Sequence, residues 1–163
     1  MPLTLQQKQT LKIWLLANTV GQTDDQKAAS LNANAAPDFW VWRTAVEKKE
    51  IVQQVSQDGT SFVWAGNGFI TRSAGELECW NQLFNSTLTC NPSLANVRQA
   101  FTDVFSGTGN AASNRAHLIV VARRKASRGE QLLATGTGST GSPATMGYEG
   151  PFTAQDVIDS LNS

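Results

Sequence analysis

The chain has 163 residues and a mass of 17.6 kDa, a length typical of one domain. It carries 13 basic and 13 acidic side chains, and charged residues make up only 16% of it, against roughly 25% in an average globular domain. This balance excludes a general nucleic-acid binder, collagen and a disordered polyampholyte. Five tryptophans with so few charges favour a protein that buries much of its surface against partners.

N-cap residues and apolar spacing predict a mainly α fold, a small helical bundle. The predicted helices cover residues 4–18, 24–35, 44–56, 73–84, 91–105, 113–125 and 153–161. A polar side chain three residues after an N-cap hydroxyl marks four of the starts, at Thr4, Thr44, Ser73 and Thr153. The helix from 113 can continue to Leu133, and residues 61–70 fit either a short strand pair or an irregular aromatic segment.

The first helix has apolar residues at helical spacing, which predict the face that it turns to the core. They are Leu5, Leu11, Trp14, Leu15 and Leu16.

Residues 135–143 consist almost entirely of Gly, Ser and Thr, without helical or strand periodicity, and predict a flexible spacer that cannot form a packed core. Apolar residues and a short amphipathic helix follow the spacer. This order is typical of a tether that carries an anchor and becomes ordered on binding, although an ordinary loop with a docked terminal helix fits as well. We therefore predict a helical body over 1–134 and an extended, glycine-rich C-terminal arm over 135–163.

Known chemical motifs are weak. Residues 136–141 spell G-x-G-x-x-G, but the strand and helix that flank a dinucleotide site are not predicted there, so we expect no cofactor. His117 precedes an apolar run, with no sign of a nucleophile and an orienting carboxylate, so no catalytic residue is assigned. Two cysteines and one histidine are a poor metal set. We expect Cys79 and Cys90 to be small core residues, with a disulfide left open.

Basic residues cluster late in the chain. Five of the thirteen lie between residues 115 and 128, and the segment from Asp103 to Glu130 has no acid between its ends. They are Arg115, Arg123, Arg124, Lys125 and Arg128. The cluster fits either a solvated helix face or an electropositive band for channel DNA or an acidic partner surface. Glu149, Asp156 and Asp159 could pair with such a band on a neighbouring copy.

Targeting signals are not apparent. No segment approaches the roughly 18 apolar residues of a membrane span, and residues 1–8 lack a basic region leading into an apolar run. We expect neither a membrane contact nor a signal peptide.

Three stretches resemble a family of small proteins from the head–tail morphogenesis modules of tailed bacteriophages. They are residues 36–44 (APDFWVWRT), residues 123–132 (RRKASRGEQL), and residues 134–151, which begin ATGTG, continue with SPATM and end in EGP. The resemblance implies a head–tail connector, the adaptor ring under the portal, made in the host cytoplasm and located at the neck of the virion. A tail terminator or capsid decoration protein of the same virion is the alternative.

Such adaptors are structural proteins that form a ring, usually of twelve copies, and dock an extended C-terminal segment on the portal. The resemblance therefore implies three partners: other copies of the chain, the portal protein, and a downstream neck or tail protein. It also implies passive contact with channel DNA. The portal-binding residues would be Thr135, Gly136, Gly138, Pro143, Met146, Tyr148, Pro151 and Phe152. The basic cluster would lie near subunit or DNA-channel contacts. A small hydrolase and a nucleic-acid-binding regulator are the competing classes.

Overall fold

A computed structural model describes residues 2–84 and 87–163 of the chain. Within these residues the protein is mostly helical, which confirms the mainly α prediction. The helices are α1 (Leu5–Asn18), α2 (Asp24–Asn32), α3 (Lys48–Gln53), α4 (Ala74–Gln82), α5 (Ala95–Val104), α6 (Asn110–Ala122), α7 (Arg128–Leu133) and α8 (Ala154–Leu161). Residues 134–153 contain neither helix nor strand.

Four short strands complete the fold. They are β1 (Trp40–Trp42), β2 (Val46–Glu47), β3 (Thr89–Cys90) and β4 (Arg123–Lys125). Strand β1 pairs with β4, and β2 pairs antiparallel with β3, with Val46 opposite Cys90.

The chain divides into two compact units. Unit 1 combines Met1–Val41 with Lys125–Ser163, and unit 2 is the continuous segment Trp42–Arg124. The predicted division at residue 134 falls inside unit 1. Each unit is described separately below.

Unit 1 is built from α1, α2, α7 and α8. Its larger core lies where α8 packs on α1 and α2 and contains Leu11, Leu15, Leu31, Phe152 and Val157. A smaller core consists of Val41, Ala126 and Ala144, with Phe39, Ala134 and Met146 packed against it.

Unit 2 is built around aromatic residues. Trp80 of α4 is 1% exposed and contacts the rings of Phe62, Phe84 and Phe105 at centroid distances of 4.9–5.9 Å. Residues from α3, α5 and α6 close this core. Large aromatic rings bury much area per residue, which lets a short segment with short helices form a core.

The helices that begin at a predicted capping box start where the sequence predicts. The capping boxes at Thr4, Ser73 and Thr153 are confirmed. Two further capping boxes with a hydroxyl N-cap, at Thr23 and Ser127, were not predicted. Each places a hydroxyl on a free backbone N–H, so it depends only on neighbouring residues.

Several predicted boundaries are wrong. Thr44 is not an N-cap, because residues 46–47 pair with β3 and α3 begins one residue later, with Glu47 as its N-cap. Asn91 accepts hydrogen bonds from the backbone and hydroxyl of Ser93 instead of capping a helix, and α5 begins at Ala95.

Three further corrections concern α2, α6 and the segment 61–70. Helix α2 ends at Asn32, short of the predicted residue 35. Helix α6 begins at Asn110 and ends at Ala122, because Arg123–Lys125 leave the helix to pair with β1. The segment 61–70 is irregular apart from a 3-10 turn over Gly66–Gly68, so the strand pair is not formed.

Candidate interaction surfaces

The glycine-rich segment wraps around β1 inside unit 1. Trp40 N–H donates to the Gly138 carbonyl at 2.8 Å, and Ala144 N–H donates to the Trp40 carbonyl at 2.9 Å. Thr135 and Thr145 exchange two backbone hydrogen bonds, at 2.8 and 2.9 Å. The prediction that this segment cannot pack is therefore wrong, because its backbone polar groups find partners and Ala144 is fully buried.

Two glycines of this segment allow other parts of unit 1 to pack directly against its backbone. A Cβ on Gly138 would lie 2.2 Å from the ring of Phe39, and one on Gly136 would lie 3.1 Å from the Ala144 backbone. Both glycines also have positive φ, which disfavours side chains with a Cβ. Gly141 is different, because nothing lies within 4 Å of a Cβ built there.

The predicted arm residues differ in accessibility. Phe152, which is 3% exposed, lies in the core and covers Gly129, where a Cβ would be 2.2 Å from its ring. The side-chain amide of Asn32 bonds both the N–H and the carbonyl of Phe152 at 2.8 Å. Gly138 and Pro143 are buried, Met146 and Tyr148 are partly buried, and Thr135, Gly136 and Pro151 are exposed.

The acidic residues near the end of the chain have partners within unit 1. Lys8 Nζ lies 2.9 Å from Asp159 Oδ2. A hydrogen bond from Gln155 and the ammonium of Lys8 hold the pKa of Asp159 below its usual value. Asp156 accepts hydrogen bonds from the backbone and hydroxyl of Thr153 and so caps α8. Their predicted pairing with a neighbouring copy stays a prediction.

The basic cluster also bonds to acceptors of its own chain. In unit 2, Arg123 is 7% exposed and pairs with Asp58, and Arg115 donates to the Phe105 carbonyl. Arg124 is partly buried.

The unit 1 members of the cluster are engaged as well. Lys125 Nζ lies 2.7 Å from Asp38 and 5.8 Å from the centre of the Trp40 ring. Arg128 donates to Gln131 and to the Ala36 carbonyl, both at 2.6 Å. Asp38 and Asp58 are remote in sequence, so a count of neighbouring acids could not reveal that they partner this cluster.

His117 is fully buried in unit 2. Its Nε2 lies 2.8 Å from the Ile51 carbonyl, and its Nδ1 lies 2.9 Å from the Thr60 hydroxyl. The Ser56 hydroxyl is 2.6 Å from that of Thr60. The ring therefore joins α6 to the end of α3 and to the turn that follows it.

The two cysteines are free thiols. Cys90 is buried, and this burial raises the pKa of its thiol to about 12, which leaves the nucleophilic thiolate scarce at neutral pH. Among the described residues, no group of three or more His, Cys, Asp and Glu side chains is arranged to hold a metal ion. No helix in this part of the chain is long and apolar enough to cross a bilayer.

Helix α1 exposes an apolar stripe on the side opposite its core contacts. Leu11 and Leu15 are buried as predicted, but Leu5 and Leu16 are 63% and 60% exposed, so their assignment to the inner face is wrong. Ile13 and Val20 are 74% and 86% exposed. We define the α1 outer stripe by its solvent-facing residues at helical spacing: Leu5, Gln9, Ile13 and Leu16.

The stripe continues past the end of the helix. A groove beside it is lined by Leu16, Val20 and Leu161, among others. The two lysines of α1 bond elsewhere: Lys8 to Asp159, and Lys12 to the Ser163 carbonyl at 2.6 Å. The outer stripe itself contains no ionisable residue.

A second exposed apolar surface lies in unit 2, on the segment we call the Trp64 loop (residues 62–70). Ile70 is 73% exposed and Trp64 is 48% exposed, and Ile70 N–H donates to the Trp64 carbonyl at 3.1 Å. The rings of Phe62 and Phe69 support Trp64 at centroid distances of 4.9 and 5.0 Å.

Three asparagines fix this loop. Asn114 is fully buried; its side chain accepts from Val63 N–H at 2.7 Å and donates to the Val63 and Gly68 carbonyls at 3.0 and 2.8 Å. Asn110 donates to the Ala65 carbonyl at 2.9 Å, and Asn67 donates to the Thr108 carbonyl at 2.7 Å. The loop is therefore a pre-shaped platform.

Sequence reasoning missed both surfaces. Residues 5, 9, 13 and 16 recur at helical spacing, which could have revealed a second apolar face of α1. Leu11 and Leu15 form an equally regular set, however, so the sequence does not show that there are two separate faces. The asparagines gave no usable signal, because Ser113 and Asn114 are equally good N-caps for the helix predicted from residue 113. Comparisons of the chain with protein-family models, curated proteins and solved structures find no match.

Proposed function

We propose that this chain is a structural protein of a tailed-phage virion, a head–tail connector adaptor. It would form a ring beneath the portal, join capsid to tail and line the DNA channel. One observation carries the proposal: the first stretch that resembles the phage family packs against the second and third, which lie far along the chain from it, and residues of all three form the small core of unit 1.

The contacts among these stretches are direct. Ala126 N–H donates to the Phe39 carbonyl at 2.9 Å, which joins the second stretch to the first. The hydrogen bonds between Trp40 and the glycine-rich segment join the third stretch to the first. Val41, Ala126 and Ala144, one from each stretch, form the small core and are at most 1% exposed. A likeness that spans one packed core supports a likeness in fold.

The proposal takes the chain as a helical body over 1–134 and an arm over 135–163 that docks on the portal. The accessible arm residues are the candidates for that contact: Thr135, Gly136, Pro151 and the exposed parts of Met146 and Tyr148. Gly138, Pro143 and Phe152 would act indirectly, by shaping the arm. Arg123 is itself buried and pairs with the exposed Asp58, which favours a structural role for that arginine over a DNA contact.

The test is native mass spectrometry of the purified chain, alone and mixed with a purified candidate portal protein. We expect about twelve copies to bind one portal ring. Thr135→Arg, on the exposed arm, should weaken this binding at least tenfold, while Gln53→Arg, an exposed change in unit 2, should leave it unchanged.

Failure has two forms. If Thr135→Arg and Pro151→Arg each bind the portal like the wild type, the arm is not the contact. If the wild-type chain never binds a portal, the adaptor assignment is wrong. Cryo-electron microscopy of the virion then decides between a tail terminator and a decoration protein by location.

A further inference from the structure

We propose that copies of this chain bind each other head to tail, with the α1 outer stripe of one copy packed on the Trp64 loop of the next. This inference rests on the proposed ring, since it names the surfaces that would build it. Its test is nevertheless independent of the portal.

The α1 outer stripe is suited to burial. Leu5, Ile13 and Leu16 are each at least 60% exposed and lie along about 17 Å of one helix face. Exposed apolar side chains scattered singly need no explanation, but an aligned set on one helix face marks an interaction site. The inner face of the same helix is already buried in the larger core of unit 1, through Leu11 and Leu15.

The Trp64 loop is suited to be the partner surface. Tryptophan is enriched among the few residues that dominate binding energy, and Trp64 stands beside the more exposed Ile70. The asparagine hydrogen bonds hold the loop in place before binding, so little conformational entropy is lost when a partner packs on it.

The absence of charge on both surfaces favours their packing against each other. None of the four stripe residues is ionisable, and residues 59–71 contain no ionisable side chain. The two lysines beside the stripe, Lys8 and Lys12, are bonded to Asp159 and to the Ser163 carbonyl. When two uncharged surfaces pack together, no charged group is removed from water. A charged partner surface would lose its hydration and find no opposite charge on either face to compensate. The amides of Gln9 on the stripe and Asn67 on the loop supply polar rims.

The geometry of assembly follows from the use of two different surfaces. A contact between unlike faces leaves one of each face free on every dimer, so association continues beyond the dimer, and it ends in a ring when the rotation from copy to copy closes. A second copy supplies both faces in equal number. Packing of one stripe on another would be self-complementary and would stop at a dimer.

The experiment uses two full-length variants, Leu16→Asp and Ile70→Asp, in analytical ultracentrifugation and native mass spectrometry. Each buried carboxylate should weaken self-association at least about 30-fold. The matched controls are Ala29→Asp, exposed on α2 in the same unit as the stripe, and Val55→Asp, 69% exposed in unit 2. Both controls should associate like the wild type.

The decisive sample is the mixture of the two variants. Leu16→Asp keeps an intact loop and Ile70→Asp keeps an intact stripe, so the mixture has one functional contact per pair. We expect each variant alone to be monomeric and the mixture to form a one-to-one pair and nothing larger. Should Leu16→Asp fail to fold, Ile13→Asp replaces it on the same stripe.

Three results would overturn the inference: a wild-type chain that stays monomeric up to about 1 mM, an Ile70→Asp variant that associates normally, or a mixture without pairs. A wild-type monomer that the portal nevertheless recruits would end this inference and leave the adaptor proposal standing. Pairs in the mixture without portal binding would support the inference and reject the adaptor.

Discussion

The hydrogen bonds of His117 define its protonated nitrogen. The Ile51 carbonyl can only accept, so Nε2 carries a proton and donates to it, and Nδ1 shares a hydrogen bond with the Thr60 hydroxyl. Both polar atoms of a fully buried ring are thus satisfied by neighbouring elements. We interpret His117 as a connector between these elements.

Replacing His117 with Ala should lower the free energy of unfolding by about 2–4 kcal/mol, because it creates a cavity and leaves the Ile51 carbonyl and Thr60 hydroxyl without their partner. Urea denaturation followed by circular dichroism measures this change. Self-association of the folded fraction should be unaffected. An alanine variant as stable as the wild type but defective in function would instead point to chemistry at His117.

Glu50 provides a pH dependence. Arg43 donates to both of its carboxylate oxygens, at 2.7 and 3.1 Å, and these hydrogen bonds lower the pKa of Glu50 from its usual 4.5. A carboxyl whose pKa is lower in the folded state stabilises the fold above its unfolded pKa, and this contribution disappears as the pH falls through the folded value.

The expected result is that wild-type stability falls more steeply below pH 4.5 than that of Glu50→Gln. At neutral pH, Glu50→Gln should cost about 1–2 kcal/mol, because Arg43 loses a charged partner that is only partly shielded from water. Denaturation curves at several pH values test both statements. Parallel pH profiles for the two proteins would show that the pair contributes nothing.

Among the elements, the glycine-rich segment has a shape that depends on contacts remote in sequence. Its loop closes because Gly138 allows the ring of Phe39 to approach, and Phe39 lies about a hundred residues earlier in the chain. Composition alone predicted a flexible spacer, since glycine permits flexibility and close packing equally well.

Gly138→Ala should therefore destabilise the protein by about 2–4 kcal/mol, from the collision with Phe39 and the positive φ of 65°. Gly141→Ala is the matched control in the same segment, where a methyl group meets nothing, and should change stability by less than about 0.5 kcal/mol. Thermal unfolding of both variants gives the comparison. If the two substitutions changed stability equally, the segment would behave as a flexible spacer and not as a packed loop.

The same contrast explains how far the fold could be predicted. The starts of α1, α4 and α8 were predictable because a capping box involves residues three apart. Strand β4 was not, because Arg123–Lys125 continue the helical pattern of α6 and leave it only to pair with β1. The inner face of α1 was predicted only in part, since Leu5 and Leu16 are as apolar as the buried Leu11 and Leu15, and it is the packing of α7 and α8 on one side of the helix that distinguishes them.

For the whole molecule, the discontinuity of unit 1 governs the effect of truncation. Residues 135–163 supply Phe152 and Val157 to the core that contains Leu11, Leu15 and Leu31. Their removal would expose those leucines to water, so the arm is structural as well as a candidate binding element.

A chain ending at residue 134 should lose the ordered packing of α1 and α2 while unit 2 keeps its aromatic core. Hydrogen exchange should show fast exchange in α1 and α2 and retained protection in α4 and α6. Protection of α1 and α2 equal to that in the full chain would mean that the arm is separable from the body.

In sequence, unit 2 lies between the two segments of unit 1, and this order affects how the chain folds during synthesis. On the ribosome, α1 and α2 emerge first but cannot complete their core until α7 and α8 follow, after the whole of Trp42–Arg124. At roughly 5–20 residues per second, synthesis of Trp42–Arg124 alone delays this core by about 4–17 s. The nascent chain would thus carry a folded unit 2 while its first two helices still expose their leucines, and this interval is when chaperones and premature aggregation compete for them.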